Sequence, residues 1–108
     1  MNLPTEIFGD VIVVHTPDEL GSHQCEEFTI FASTLERDCA VLDLDNTELL
    51  DSQGLTAILE VREMLQQKGG DLKIAATNAT NRKILDITRL DQQLEVFDSM
   101  IDAVKSFQ

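Results

Sequence analysis

Positive charge is scarce in this chain. Its 108 residues include eight Lys and Arg against twenty Asp and Glu, a formal net charge of -12. Binding to phosphate backbones needs clustered cations, so the shortage argues against DNA or RNA as partners and against docking on anionic lipid. An acidic surface keeps a protein soluble and also attracts basic protein surfaces, and composition leaves both uses open.

Other shortages narrow the reading. No apolar run approaches the roughly 18 residues that span a bilayer. Met1-Asn2-Leu3-Pro4-Thr5-Glu6 has no basic region followed by an apolar stretch, so no secretory signal is visible and a cytoplasmic location is expected. The cysteines, Cys25 and Cys39, show neither metal nor redox spacing, and their apolar positions predict buried free thiols. His15 and His23 lack a third ligand at metal spacing, so surface or capping roles are expected and no metal site. A nucleophile, base and orienting group do not occur in a convincing set, so neither an enzyme nor a cofactor is expected. With no repeats, low-complexity tracts or linkers, residues 1–108 read as a single domain.

What the chain does contain is alternation of strand and helix patterns. Ile7-Phe8 and Val11-Ile12-Val13-Val14 flank Gly9-Asp10, which reads as a tight hairpin, and Pro17 ends the second strand. A helix is predicted from Ser22 to about Arg37, with Cys25, Phe28, Ala32 and Leu35 on one face and Glu26 and Glu27 in its first turn. The β-type run Cys39 to Leu44 follows, then a connection over Asp45–Asp51. A helix from Ser52 to about Lys68 carries Ala57, Ile58, Val61, Met64 and Leu65 at helical spacing, and Gly69-Gly70 stops it. Leu72 to Ala76 is a fourth strand. Thr77 to Asn81 is a polar turn opening a short helix through Ile84, Leu85 and Ile87. Leu94 to Phe97 makes the last strand, and Asp98 or Ser99 caps a final helix with Met100, Ile101, Val104 and Phe107 inward. The order β-β-α-β-α-β-α-β-α predicts an α/β fold: a mixed, mostly parallel five-stranded sheet with about four helices packed against it.

The junction Asp51-Ser52-Gln53-Gly54-Leu55 carries most of the functional information. A serine where a buried strand gives way to a helix can cap the helix and still face solvent. A phosphate placed on it would meet unpaired backbone N–H groups and the positive end of the helix dipole. Ser52 is therefore either a switch residue or a plain N-cap. Of Leu49 and Leu50 just before it, one is expected in the core and one exposed.

That element order, with Asp-Ser-x-Gly-Leu opening the helix after the third strand, resembles the STAS domain, and within it the small stand-alone anti-sigma factor antagonists. The likeness covers nearly the whole chain. Gly9-Asp10-Val11-Ile12-Val13-Val14 looks like the family's opening hairpin, and Asp18-Glu19-Leu20 sits at its Gly-Glu-Leu-Asp turn. Val41-Leu42-Asp43-Leu44 looks like the central strand, Gly69-Gly70-Asp71-Leu72-Lys73-Ile74 like the Gly-Gly turn and next strand. Ile84-Leu85-Asp86-Ile87-Thr88-Arg89-Leu90 is similar to the short third helix, and Val96-Phe97-Asp98-Ser99 to the last strand and turn.

The resemblance implies a phosphate acceptor at Ser52, a kinase-type anti-sigma factor and a serine phosphatase as partners, and a monomer or weak dimer when free. It implies a partner-binding patch of Asp51, Ser52, Gln53 and Gly54, with Asp18, Glu19 and Leu20 at its rim. Asp51 is expected to fix the loop by satisfying backbone donors, more than to contact the partner, and Gln53 to be exposed. Two departures stand out: Gln53 replaces a frequent second hydroxyl residue, and His15-Thr16-Pro17 replaces small or apolar residues before the Glu-Leu turn. The family also supplies fixed scaffold and transporter subunits, including the small cytoplasmic component of phospholipid-transport ABC systems, and in that reading Ser52 is a static contact.

Two other folds fit worse. Asp43 and Asp45 near a strand end suggest a receiver domain, but the early strand ends in His15-Thr16 without an acidic pair, and Lys73 lies inside a strand. Asp51-Ser52 also matches part of a carrier-protein motif, but those are helical bundles, and Val11–Val14, Cys39–Leu44 and Leu72–Ala76 are too strand-like.

Overall fold

The structure is a computed structural model that describes residues 1–108, the side chain of residue 91 excepted. Three strands are buried on both faces and largely apolar, with Asp43 and Lys73 as buried charged residues among them. They are β2 (Val11–His15), β4 (Cys39–Asp43) and β6 (Asp71–Ala75), and Val13, Ala40, Val41 and Ile74 have no exposed surface. β2 pairs with β4 and β4 with β6, both parallel, with Val13 beside Val41 and Val41 beside Lys73. β1 (Thr5–Phe8) adds antiparallel to β2, and β7 (Val96–Phe97) parallel to β6, giving the order β1-β2-β4-β6-β7. The predicted mixed, mostly parallel five-stranded sheet is thus present.

Helices α1 (Cys25–Ser33), α2 (Ser52–Gln67) and α3 (Ala79–Ile87) cover one face of the sheet; α4 (Met100–Lys105) covers part of the other. On the first side Phe28, Ile58, Val61, Leu65 and Leu85 pack against Ile12, Val14, Leu42 and Ile74. On the second, Ala103 and Val104 cover Val11, Val13, Val41 and Ala75. The Lys73 ammonium lies under α4, 4.2 Å from the centre of the Phe107 ring, and donates to the Ser106 hydroxyl at 2.9 Å. Gly69 ends α2 with φ at 88°, a conformation that favours glycine.

Four expectations need correction. α1 is shorter than Ser22–Arg37. The Ser22 N–H is held by the Asp51 carboxylate at 3.0 Å, outside the helix. At the far end the Ser33 and Thr34 hydroxyls donate back to the Ile30 and Phe31 carbonyls and the helix stops there. Ile101 points outward, 57% exposed, because the inward stripe of α4 runs through Met100, Ala103, Val104 and Phe107 at helical spacing and Ile101 falls beside it. The cysteines are free but only half-buried. Finally, two short strands, β3 (Glu19–Leu20) and β5 (Leu49–Leu50), form a separate parallel pair.

His15 closes the edge where β1, β2 and β4 meet. Its Nδ1 is 2.9 Å from Asp43 and its Nε2 2.9 Å from Glu6. Burial alone would lower its pKa, but the hydrogen bond to Glu6 and the charge of Asp43 outweigh it and raise the value. A raised folded pKa adds stability that is fully present below about pH 6.5 and lost as pH rises through the folded value. His15→Gln should therefore cost more stability at pH 5.5 than at pH 8.5, as read from denaturant midpoints at the two pH values.

Candidate functional site

The connection from β4 to α2 is tied at every step. The Leu44 N–H donates to the Ala75 carbonyl at 2.9 Å, and Asp45 accepts from the Thr77 N–H and hydroxyl at 2.8 and 2.7 Å. Thr47 is fully buried; its hydroxyl meets that of Thr16 and donates to the Pro17 carbonyl at 2.6 Å. The Glu48 and Leu49 N–H groups both reach the Asp18 carbonyl, and β5 then pairs with β3. This pairing brings the Asp18-Glu19-Leu20 turn beside the motif. Leu50 is buried and Leu49 is 51% exposed, one of each as expected.

Asp51 ends the loop and caps α2. Its Oδ1 accepts from the Gly54 N–H at 2.9 Å and its Oδ2 from the Ser22 N–H at 3.0 Å. The Gly54 bond first, then that of Ser22, holds the carboxyl below its ordinary pKa, with His23 as a smaller charge nearby. Asp51 thus satisfies backbone donors of two segments, that of α2 and that of Ser22. The expectation that Ser52 caps the helix is corrected: Asp51 is the N-cap, and Ser52 is the first helical residue, exposed. The cap does not need the Ser52 hydroxyl. The notion that a phosphate there meets free donors is corrected in part too, since Asp51 already occupies the Gly54 N–H.

The residues expected at the patch divide into two layers. Asp18, Glu19, Ser52 and Gln53 are exposed, and Asp51 is half-buried among them. Leu20 and Gly54 are buried and offer a partner no side-chain surface, so they support the patch from beneath. Gly54 lies so close to the neighbouring loop that a Cβ there would stand 2.0 Å from the Leu20 carbonyl oxygen. Beyond Gln53, α1 and α2 leave a groove of about 510 Å³ lined in part by Cys25, Glu26, Ile30, Thr56 and Glu60.

One contributor went unseen in the sequence. Asn81, read only as the end of a polar turn, is buried in α3 and donates from Nδ2 to the carbonyls of Leu44 and Thr47 at 3.0 and 2.8 Å. No local pattern marks it, because both acceptors lie more than 30 residues away. Among the described residues, no group of three or more His, Cys, Asp or Glu is placed to hold a metal ion, and no helix is long and apolar enough to cross a membrane.

Comparison with known proteins places this geometry. The family model described as STAS domain matches residues 2–103. An anti-sigma F factor antagonist of Paenibacillus polymyxa is 27% identical over 114 residues, covering 100% of this chain and 97% of that protein. The crystal structure of an anti-sigma factor antagonist from Mycobacterium paratuberculosis superposes with a TM-score of 0.85 at 21% identity, over 97% of this chain and 92% of the other. The Bacillus cell fate determinant SpoIIAA in its phosphorylated form gives a TM-score of 0.71 at 17% identity, over 99% and 100% of the two chains.

Two substitutions test the construction of the site. Gly54→Ala forces the Leu20 carbonyl to move and should destabilise the fold by about 2 kcal/mol or more in urea unfolding. Asp51→Asn leaves a weaker acceptor in the cap. It should also remove part of the acid transition, because a lowered carboxyl pKa adds stability above about pH 4 that is lost as pH falls through the folded value. Parallel acid unfolding curves for the wild type and the Asp51→Asn variant would contradict that account.

Proposed function

Because this chain belongs to the STAS domain family, we propose that it is an anti-sigma factor antagonist whose partner binding is switched by phosphorylation of Ser52. In its dephosphorylated form it binds a kinase-type anti-sigma factor in the cytoplasm and thereby frees a sigma factor; a serine phosphatase restores that form. The protein is then a binding partner and a substrate, and carries out no catalysis of its own. The observation that carries the reading is the position of Ser52: exposed, first in a 16-residue helix, relieved of capping by Asp51, and followed by the exposed Gln53. The antagonist names of the relatives in Paenibacillus and Mycobacterium support it.

The switch follows from charge. A phosphate adds roughly -1.5 to -2 charges and three acceptor oxygens to the surface. It arrives beside Asp51, which its backbone donors keep ionised, on a chain whose formal charge is already -12. A kinase nucleotide pocket is itself occupied by phosphates, so repulsion and desolvation oppose docking. The fold tolerates the change, because the anion sits on an exposed residue at the positive end of α2.

Two variants test this directly by titration against the kinase-type anti-sigma factor. Ser52→Ala should bind like the unphosphorylated protein and resist inactivation. Ser52→Asp should fold with an unchanged melting temperature yet bind at least tenfold more weakly, about 1.4 kcal/mol. Equal affinity of the two variants would instead support a static subunit of a larger complex. Glu19→Lys, at the exposed rim, should mainly slow association and reduce its dependence on salt, as stopped-flow mixing would show.

A further inference from the structure

Resting on the reading of Ser52 above, we propose that Asn81 is a positioning residue for the switch, holding the loop that presents Ser52 in its binding-ready shape from the opposite side. Asn81 is 1% exposed and sits in α3, away from the face itself. Its amide spans the loop: one nitrogen donates both to the carbonyl of Leu44, at the loop's start, and to that of Thr47, three residues on. The Thr47 N–H closes the same turn onto Leu44 at 3.0 Å. From Thr47 the restraint passes forward. The next two N–H groups, Glu48 and Leu49, share the Asp18 carbonyl, Leu50 pairs with Leu20, and Asp51 then locks onto Ser22 and Gly54.

The amide oxygen of Asn81 is buried without a hydrogen-bond partner among the described residues. A buried unpaired acceptor is unfavourable, so an apolar side chain would suit this pocket better if packing were its purpose. The nitrogen's two bonds give the asparagine its use. The side chain gives the buried Thr47 carbonyl a donor and the Leu44 carbonyl a second one beside the Thr47 N–H, and α3 is thereby joined to the loop. The contact from Asp45 to Thr77, just ahead of α3, makes a second tie between the same two segments. A partner that displaced α3 would thus disturb the presentation of Ser52 without touching it.

Amide hydrogen exchange of the free full chain tests the proposal, comparing wild type with Asn81→Leu, which keeps the shape and removes the donors. Exchange at Thr47, Glu48 and Leu49 should rise at least tenfold while Val41 in β4 and Ile58 in α2 stay within twofold. Unchanged loop amides, or acceleration of all amides together, would overturn it. Should Asn81→Leu fail to fold, Asn81→Ala is read by the same pattern. With the kinase of the proposed reading, KM for phosphorylation of Ser52 should rise about tenfold and kcat stay within twofold, since a loosened loop spends less time in the competent shape. An unchanged KM despite a loosened loop would also refute the positioning role. A kinase that leaves wild-type Ser52 unmodified would count against the functional reading alone, and the exchange pattern would still decide the part played by Asn81.

Discussion

The carboxylate of Asp51 is the constraint on which the site depends. One oxygen satisfies a donor of α2 and the other reaches across to Ser22, so a single side chain caps a helix and joins it to the segment that leads into α1. A charged acceptor on two backbone N–H groups makes stronger bonds than a neutral one, and the same two bonds lower the pKa of Asp51. Without it, the two segments that frame the Ser52 face have no direct polar link at this point. With it, the exposed Ser52 hydroxyl takes no part in the cap.

The sheet supplies the rigidity behind that arrangement. β2, β4 and β6 are buried on both faces, so their ends cannot drift, and the loops that leave them start from fixed points. Thr16 follows β2, and its N–H and hydroxyl both reach the Asp43 carbonyl at the end of β4. The β3–β5 pair then carries this registration outward from the core to the patch. Gly54 permits the last step, since any side chain there would push α2 off the Leu20 carbonyl. Precision at the surface therefore comes from close packing below it, a common arrangement for sites built on the loops of rigid α/β scaffolds.

Much of the fold was legible in the chain because it rests on local periodicity. Apolar runs marked β2 and β4, the strand-like Leu72 to Ala76 marked β6 despite Lys73, the spacing of Ala57, Ile58, Val61 and Leu65 marked α2, and Gly69-Gly70 marked its end. Boundaries were less legible where a distant group intervened. Ser22 looks like a helix start on local grounds, yet a carboxylate 29 residues away takes its N–H. Ile101 looks like a core residue by hydropathy, yet the stripe of a six-residue helix has room for Met100, Ala103 and Val104 and leaves it outside.

At the site the division is the same. From the sequence alone come the element order, the placement of Asp51-Ser52-Gln53-Gly54 between a buried strand and an amphipathic helix, and the excess of negative charge, because each depends on residue type and on spacing along the chain. Only the tertiary structure decided that Asp51 and not Ser52 makes the cap, that Leu20 and Gly54 lie under the face, that β3 meets β5, and that Asn81 holds the loop. Apart from the cap bond of Asp51 to Gly54, which spans three residues, those outcomes depend on groups brought together from positions 29 to 37 residues apart, and no local pattern encodes which distant donor reaches a given acceptor first.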